Sequence, residues 1–337
     1  MPMSSHKKKL LTAIMLVFFS ISLAILGIEL AFLFFSPVKF HSFVDSSTKD
    51  WRGSDIFLNI DVARPSTTLG YEWRPNIKGG LIETNSLGML DRERSKIKPQ
   101  GVYRIIFLGD STTANSSYVA ILEKILNKNK EREEFEVWNC AVTGYTGIQS
   151  CRALKQKWLK CDPDMVVIGF CLNDFMPTPL VLREGNNLVG YFPHREMLSA
   201  VSPFLLKNSA LYRFIVMRVF FSKNKDYHEE ITKTTAFHLQ EAKELCSAQG
   251  IDFLIVILGI TKRFEDSNPA WKDHYLKIKK IADEYNIRSL DIVPIFQNNN
   301  PESLMLLDEL HFNLKGNEIV ARTIRDYLRQ NLEKQKE

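Results

Sequence analysis

Cysteine is scarce in this 337-residue chain and falls without pattern: Cys140, Cys151, Cys161, Cys171 and Cys246 form no C-x-x-C pair, and the seven histidines do not cluster. These absences leave no ligand set of the kind structural zinc uses. The cysteine count is odd, so a disulfide framework would leave one thiol over within a monomer, and buried free thiols are the expectation. Strong charge of either sign is missing as well. The net value is +5, and Lys7, Lys8 and Lys9 set against Glu29 leave +3 for residues 36–337. So balanced a surface carries no electrostatic footprint for nucleic acid. No internal repeat is present, so the chain is not a repeat array, and a long uninterrupted apolar run occurs in one place only.

That place is residues 10–35, LLTAIMLVFFSISLAILGIELAFLFF. As a helix it would be about 39 Å long, enough to cross a bilayer with some tilt. A retained transmembrane anchor is expected rather than a cleaved signal peptide, because the run exceeds the usual apolar region and no small-x-small cleavage site follows it. Lys7, Lys8 and Lys9 precede the helix, whereas only Lys39 and Lys49 occur in the next fifteen residues. The positive-inside rule then places residues 1–9 in the cytoplasm and the bulk of the chain outside. Glu29 near the outer end has two options, reaching the headgroups or pairing with a partner inside the membrane, of which the first is expected.

Residues 36–100 are mixed and turn-rich and read as a linker followed by a small irregular or β-rich segment. From residue 102 apolar runs alternate with amphipathic stretches. YRIIFLG, FEVWNC and DMVVIGF read as strands, with helices over YVAILEKILNK and over residues 147–160. This is the rhythm of parallel β-α-β units in one α/β domain over residues 101–337. It breaks after Asp174 for an insertion of residues 175–234, then resumes with a helix near 235–249, the strand IDFLIVILG, a helix near 270–286, the short strand IRSLDIV and a last helix from Leu314. Within the insertion, LLKNSALYRFIVMRVFF (205–221) is too short and too interrupted by Lys207, Arg213 and Arg218 to span a membrane. It reads as a cap over a site or as an interfacial helix.

RIIFLGDSTTANS (104–116) runs an apolar strand straight into a serine. Open α/β sheets place ligands at the carboxyl ends of their strands, so Ser111 is a candidate nucleophile. The plainer reading is that Ser111 and Thr112 cap the next helix. Nucleophilic serine chemistry also needs a base, a carboxylate to orient it and donors for the oxyanion. DELHFNLKGNEIVA supplies Asp308 and His311 just before the last helix; NCAVTGYTGIQ supplies Gly144 and Gly147, which let backbone N–H groups approach a ligand; FCLND supplies the Asn173 amide. Taken singly, each has an ordinary role as a charged loop, a turn or a turn former.

Taken in order, GDS at 109–111, Gly144, Asn173 and D-x-x-H at 308–311 resemble the blocks of the SGNH (GDSL-type) hydrolase family, and LGYEWRPN through TNSLG looks like the lead-in of membrane-anchored bacterial members. The resemblance covers residues 102 to about 330. It implies a flavodoxin-like three-layer α/β/α sandwich with a parallel sheet, here with an N-terminal transmembrane helix. It implies Ser111 as nucleophile, His311 as general base and Asp308 as its orienting carboxylate. The oxyanion would be met by the N–H groups of Ser111 and Gly144 and the side-chain amide of Asn173. No metal or organic cofactor is implied. The third block usually reads G-x-N-D, but Cys171 stands at its first position, where it either narrows the pocket or turns inward as an apolar filler. The α/β-hydrolase alternative fails on G-x-S-x-G, because Thr113 occupies the last position.

The expected activity is a serine esterase facing the periplasm or cell exterior of a bacterium, acting on O-acetyl or other short acyl esters of a carbohydrate or envelope glycan. An O-acyltransferase would use the same triad with a sugar hydroxyl in place of water. A catalytically silent glycan-binding scaffold and a lipid esterase are the other readings. Protein partners are not indicated.

Overall fold

The computed structural model describes residues 5–35, 57–80, 82–128, 134–171, 174–176, 178–184, 187–191, 202, 205, 209, 211–212, 215, 225–258, 269–306 and 311–334. The chain divides into two units, Met1–Asp55 with Pro193–Lys223, and Ile56–Phe192 with Asn224–Glu337.

The first unit contains helix α1 (Ser5–Phe35), within which Leu11–Ala31 is long and apolar enough to cross a membrane. Glu29, near the end of this helix, is paired. Its Oε2 accepts hydrogen bonds from Ser209 Oγ at 2.7 Å and from the Leu211 N–H at 3.1 Å. Ser209 Oγ in turn accepts from the Tyr212 N–H at 3.0 Å. A carboxylate facing an N–H and a hydroxyl in this way is stabilised by charge-assisted bonds.

The second unit begins with β1 (Phe57–Asn59) and a hairpin of β2 (Ala63–Ser66) and β3 (Gly70–Trp73). Then come β4 (Val102–Gly109), α2 (Ser111–Ala114), α3 (Tyr118–Leu126), β5 (Glu134–Asn139), α4 (Gly147–Ala153, extended to Cys161 by a π-turn and a 3-10 turn) and β6 (Met165–Phe170). A second hairpin, β7 (Leu180–Glu184) and β8 (Asn187–Tyr191), pairs through β8 with β1. The chain finishes with α5 (Lys225–Ser247), β9 (Asp252–Ile257), α6 (Pro269–Glu284), β10 (Ser289–Asp291), α7 (Val293–Gln297) and α8 (Leu314–Lys334).

The main sheet has the order β10-β9-β6-β4-β5 with every pair parallel. Parallel strands are covered on both faces, which is why RIIFLG, MVVIGF and DFLIVI are nearly continuous apolar runs. Alternate residues feed two cores. Ile105, Phe107, Val167 and Leu254 pack with Tyr118 and Leu122 of α3 and Val320 and Ile324 of α8. Ile106, Leu108, Ile168 and Ile255 pack with α4, with Ala236 and Leu239 of α5 and with Ile278 of α6. Each fully buried aliphatic side chain contributes about 1.5–3 kcal/mol. The result is a three-layer α/β/α sandwich with flavodoxin-like strand order, as the sequence predicts.

A buried charge straps the lead-in to this sheet. Arg104 on β4 is fully buried, with Nε bonded to Glu136 Oε2 at 2.8 Å and the guanidinium reaching the carbonyls of Ser95 and Lys96 while lying 4.2 Å from the Trp138 ring.

Candidate active site

The carboxyl end of β4 is shaped by Gly109, whose φ of +150° and surroundings admit no side chain: a Cβ there would meet the Gly169 carbonyl at 2.7 Å and Thr113 Oγ1 at 2.8 Å. The chain turns at once into α2. The residue that caps α2 is Asp110, not Ser111 or Thr112. Asp110 Oδ1 accepts from the Thr112 N–H at 2.8 Å and from Thr112 Oγ1 at 2.6 Å, and the residue is fully buried. The Ser111 hydroxyl is therefore released from capping. Ser111 is half-buried at the first helical position, and its hydroxyl has no hydrogen-bond partner among the described residues.

The loop after β5 is bound to the same strand end. Val142 N–H donates to the Gly109 carbonyl at 3.1 Å, and Tyr145 N–H to the Val142 carbonyl at 3.0 Å. Gly144 lies in this turn at φ +76°, a conformation that glycine adopts without the steric cost of a Cβ. Thr143 Oγ1 donates to Asn115 Oδ1 at 2.9 Å, so the loop is also tied to the end of α2. α4 follows with a capping box: Thr146 Oγ1 accepts from the Gln149 N–H, and Gln149 Oε1 from the Thr146 N–H.

β6 ends beside β4 in a closed turn. Cys171 N–H donates to Asp174 Oδ2 at 2.6 Å, and Asp174 N–H to the Cys171 carbonyl at 3.0 Å. Cys171 itself is fully buried, so it takes the inward, apolar-filler option. Asp174 is fully buried too, and desolvation, helped by the nearby Asp110 charge, pushes its carboxyl well above the usual range against the pull of the Cys171 N–H. Asn173, between these two residues, lies outside the described residues.

His311 precedes α8 and is half-buried. Its carbonyl accepts from the Leu306 N–H at 2.7 Å, and its neighbour Phe312 bridges to Met305. The Phe312 ring stands 6.5 Å from that of Tyr118, whose hydroxyl donates to Thr113 Oγ1 at 2.8 Å, two residues past Ser111. Asn317 joins the same pieces: Oδ1 accepts from the Tyr118 N–H at 2.9 Å, and Nδ2 donates to the Phe312 carbonyl at 2.9 Å. Asp308 lies outside the described residues.

The structure thus brings the loops of Ser111 and Gly144, the end of β6 and the backbone beside His311 to one edge of the sheet. Two residues behind them were not singled out from the sequence: Asp174, although it sits in the quoted FCLND, and Tyr71, whose hydroxyl reaches the Thr143 carbonyl across 72 positions. The cysteines do not compete for the nucleophile's role. All five are buried and outside any disulfide, and burial raises the thiols of Cys140, Cys151, Cys161 and Cys246, the last to about 12. Among the described residues no group of three or more His, Cys, Asp or Glu is arranged to hold a metal ion.

The model of the GDSL-like lipase/acylhydrolase family matches residues 107–319. A comparison with curated proteins returned no match. Solved structures similar to this chain include a lipase/acylhydrolase from Enterococcus faecalis, at 17% identity over 68% of this chain and 96% of that one with a TM-score of 0.44. A GDSL-like lipase from Bacteroides thetaiotaomicron is similar at 13% identity over 68% and 88%, TM-score 0.40. A catalytic mutant of an acetylxylan esterase from Geobacillus stearothermophilus is similar at 16% identity over 70% and 95%, TM-score 0.44.

Proposed function

Because the chain belongs to the GDSL-like lipase/acylhydrolase family, and is an esterase in that sense, we propose that it is a membrane-anchored serine esterase working through Ser111, His311 and Asp308. The observation that carries the reading is the capping of α2 by Asp110, which leaves the Ser111 hydroxyl uncommitted at the carboxyl edge of the sheet. In the proposed reaction Ser111 Oγ attacks the ester carbonyl while His311 takes its proton, and Asp308 orients the imidazole. The tetrahedral oxyanion is met by the N–H groups of Ser111 and Gly144 and by the Asn173 amide. Collapse expels the alcohol, which receives the proton from His311 and leaves an acyl-serine. Water then attacks the acyl carbon with His311 again as base, and the acid departs.

The acyl group is a short one, O-acetyl foremost, and the carrier is a carbohydrate or envelope glycan. The α1 helix is the anchor, with Lys7, Lys8 and Lys9 on the cytoplasmic side and the catalytic unit in the periplasm or outside the cell.

The test is fluorophosphonate labelling and short-chain ester hydrolysis by the full-length protein in detergent micelles, for wild type and Ser111→Ala. Wild type is expected to be labelled and active, and the variant to lose both. Labelling that survives unchanged in the variant would remove Ser111 as nucleophile.

A further inference from the structure

The turn that carries Gly144 has a definite type. The bond from the Tyr145 N–H to the Val142 carbonyl at 3.0 Å closes a four-residue turn, with Gly144 at φ +76° and Thr143 at negative φ. Positive φ at the third position alone makes it type II. Types I and II differ by about half a revolution of the central peptide, which here is the amide joining Thr143 to Gly144. The Thr143 carbonyl and the Gly144 N–H are opposite ends of that one planar group. Whatever holds the carbonyl aims the N–H.

Tyr71 holds the carbonyl. Its hydroxyl donates to the Thr143 carbonyl at 2.6 Å, and its side chain is fully buried. Desolvation, with the Asp110 charge second, raises the phenol well above its ordinary value, so it stays a donor across the working pH range. The ring is itself fixed. Tyr145 stacks on it edge-on at 5.3 Å, and the Tyr145 hydroxyl donates to the Tyr71 carbonyl at 2.6 Å. Gln149, locked in the capping box of α4, donates through Nε2 to the Leu69 carbonyl at 2.7 Å, just before β3. Among the described residues the Gly144 N–H has no acceptor.

We propose that Tyr71 is a positioning residue of the oxyanion site: its phenol locks the Thr143–Gly144 peptide in the orientation that presents the Gly144 N–H to the substrate. The inference rests on the proposed role of Gly144. It extends the catalytic apparatus beyond the family-matched residues 107–319 into the β2–β3 hairpin. As negative charge grows on the substrate oxygen, the amide is polarised along its length and its carbonyl accepts more strongly from Tyr71. The gain is made in the transition state, so its loss appears in kcat rather than KM.

The experiment compares full-length wild type, Tyr71→Phe, Tyr103→Phe and Ser111→Ala in detergent micelles, with kcat normalised to sites titrated by a fluorophosphonate. Tyr71→Phe is expected to lower kcat about tenfold with KM within about twofold. That is less than the roughly 100- to 1000-fold of losing a donor outright, because the N–H remains and only its aim is loosened. Tyr103→Phe removes a hydroxyl at the amino-terminal end of β4, where it donates to Asp252 Oδ2 at 3.5 Å rather than to any group of the Gly144 turn, and its normalised kcat is expected to match wild type. An unchanged kcat in Tyr71→Phe, or an equal fall in both tyrosine variants, overturns the inference while leaving a serine-dependent esterase standing. Labelling of Ser111→Ala would bring down the proposed function and this inference together.

Discussion

Asp110 and Asp174 show how little of the site's chemistry a motif conveys by itself. The sequence offered Ser111 and Thr112 as caps, yet the cap is the residue before them, and its short bonds to Thr112 free the serine. Asp174 is held away from water and kept above the usual carboxylate range by desolvation first and the Asp110 charge second. The folded protein therefore retains a proton that the unfolded chain would release, so stability falls as pH rises from the ordinary carboxylate range toward the raised folded value, beyond which the deficit is constant. Asp174→Asn keeps an acceptor for the Cys171 N–H and removes the titration. Thermal denaturation is expected to show the variant level with wild type near about pH 4 and increasingly more stable at higher pH. A difference in Tm that stays flat with pH would show that Asp174 does not titrate on unfolding. Ser111 and Gly144 were readable because their loops are short and follow apolar strands. Tyr71 was not, because its partner is 72 positions away and no local pattern signals a single carbonyl that far along the chain.

The strands of the central sheet and most of its helices were legible as apolar runs and amphipathic stretches, since parallel strands are buried on both faces. The β7–β8 hairpin and the start of α5 were not. The β7–β8 hairpin has short alternating runs, and it is completed by β1, more than a hundred residues earlier in the chain. The helix α5 starts at Lys225 rather than near 235, because KDYHEEITKT has too few apolar residues to announce a buried face. Between elements, the decisive joint is Asn317 at the start of α8, which reaches both the first residue of α3 and the carbonyl of Phe312 beside His311. Asn317→Ala leaves the Tyr118 N–H without that acceptor and the Phe312 carbonyl without that donor. It is expected to cost about 1–3 kcal/mol by urea denaturation and to lower kcat through slackening of the His311 loop. Full stability and activity in the variant would show that apolar packing of Phe312 on Tyr118 suffices.

The long apolar helix α1 was plain in the sequence, but its partner was not: Glu29 meets Ser209 and Leu211 from an insertion some 180 residues later. In detergent micelles, Glu29→Leu is expected to make residues 193–223 more rapidly cleaved by added protease, while Glu29→Gln, which keeps an acceptor, is cleaved at close to the wild-type rate. Equal cleavage of all three proteins would show that Glu29 does not hold the insertion. A leader peptide that is cut away has no work left after export. Helix α1 differs: through Glu29 it accepts from the Ser209 hydroxyl and the Leu211 N–H, so severing it would leave those two donors without that acceptor. Shortened versions prepared for solubility would thereby carry two donors that the intact chain keeps matched.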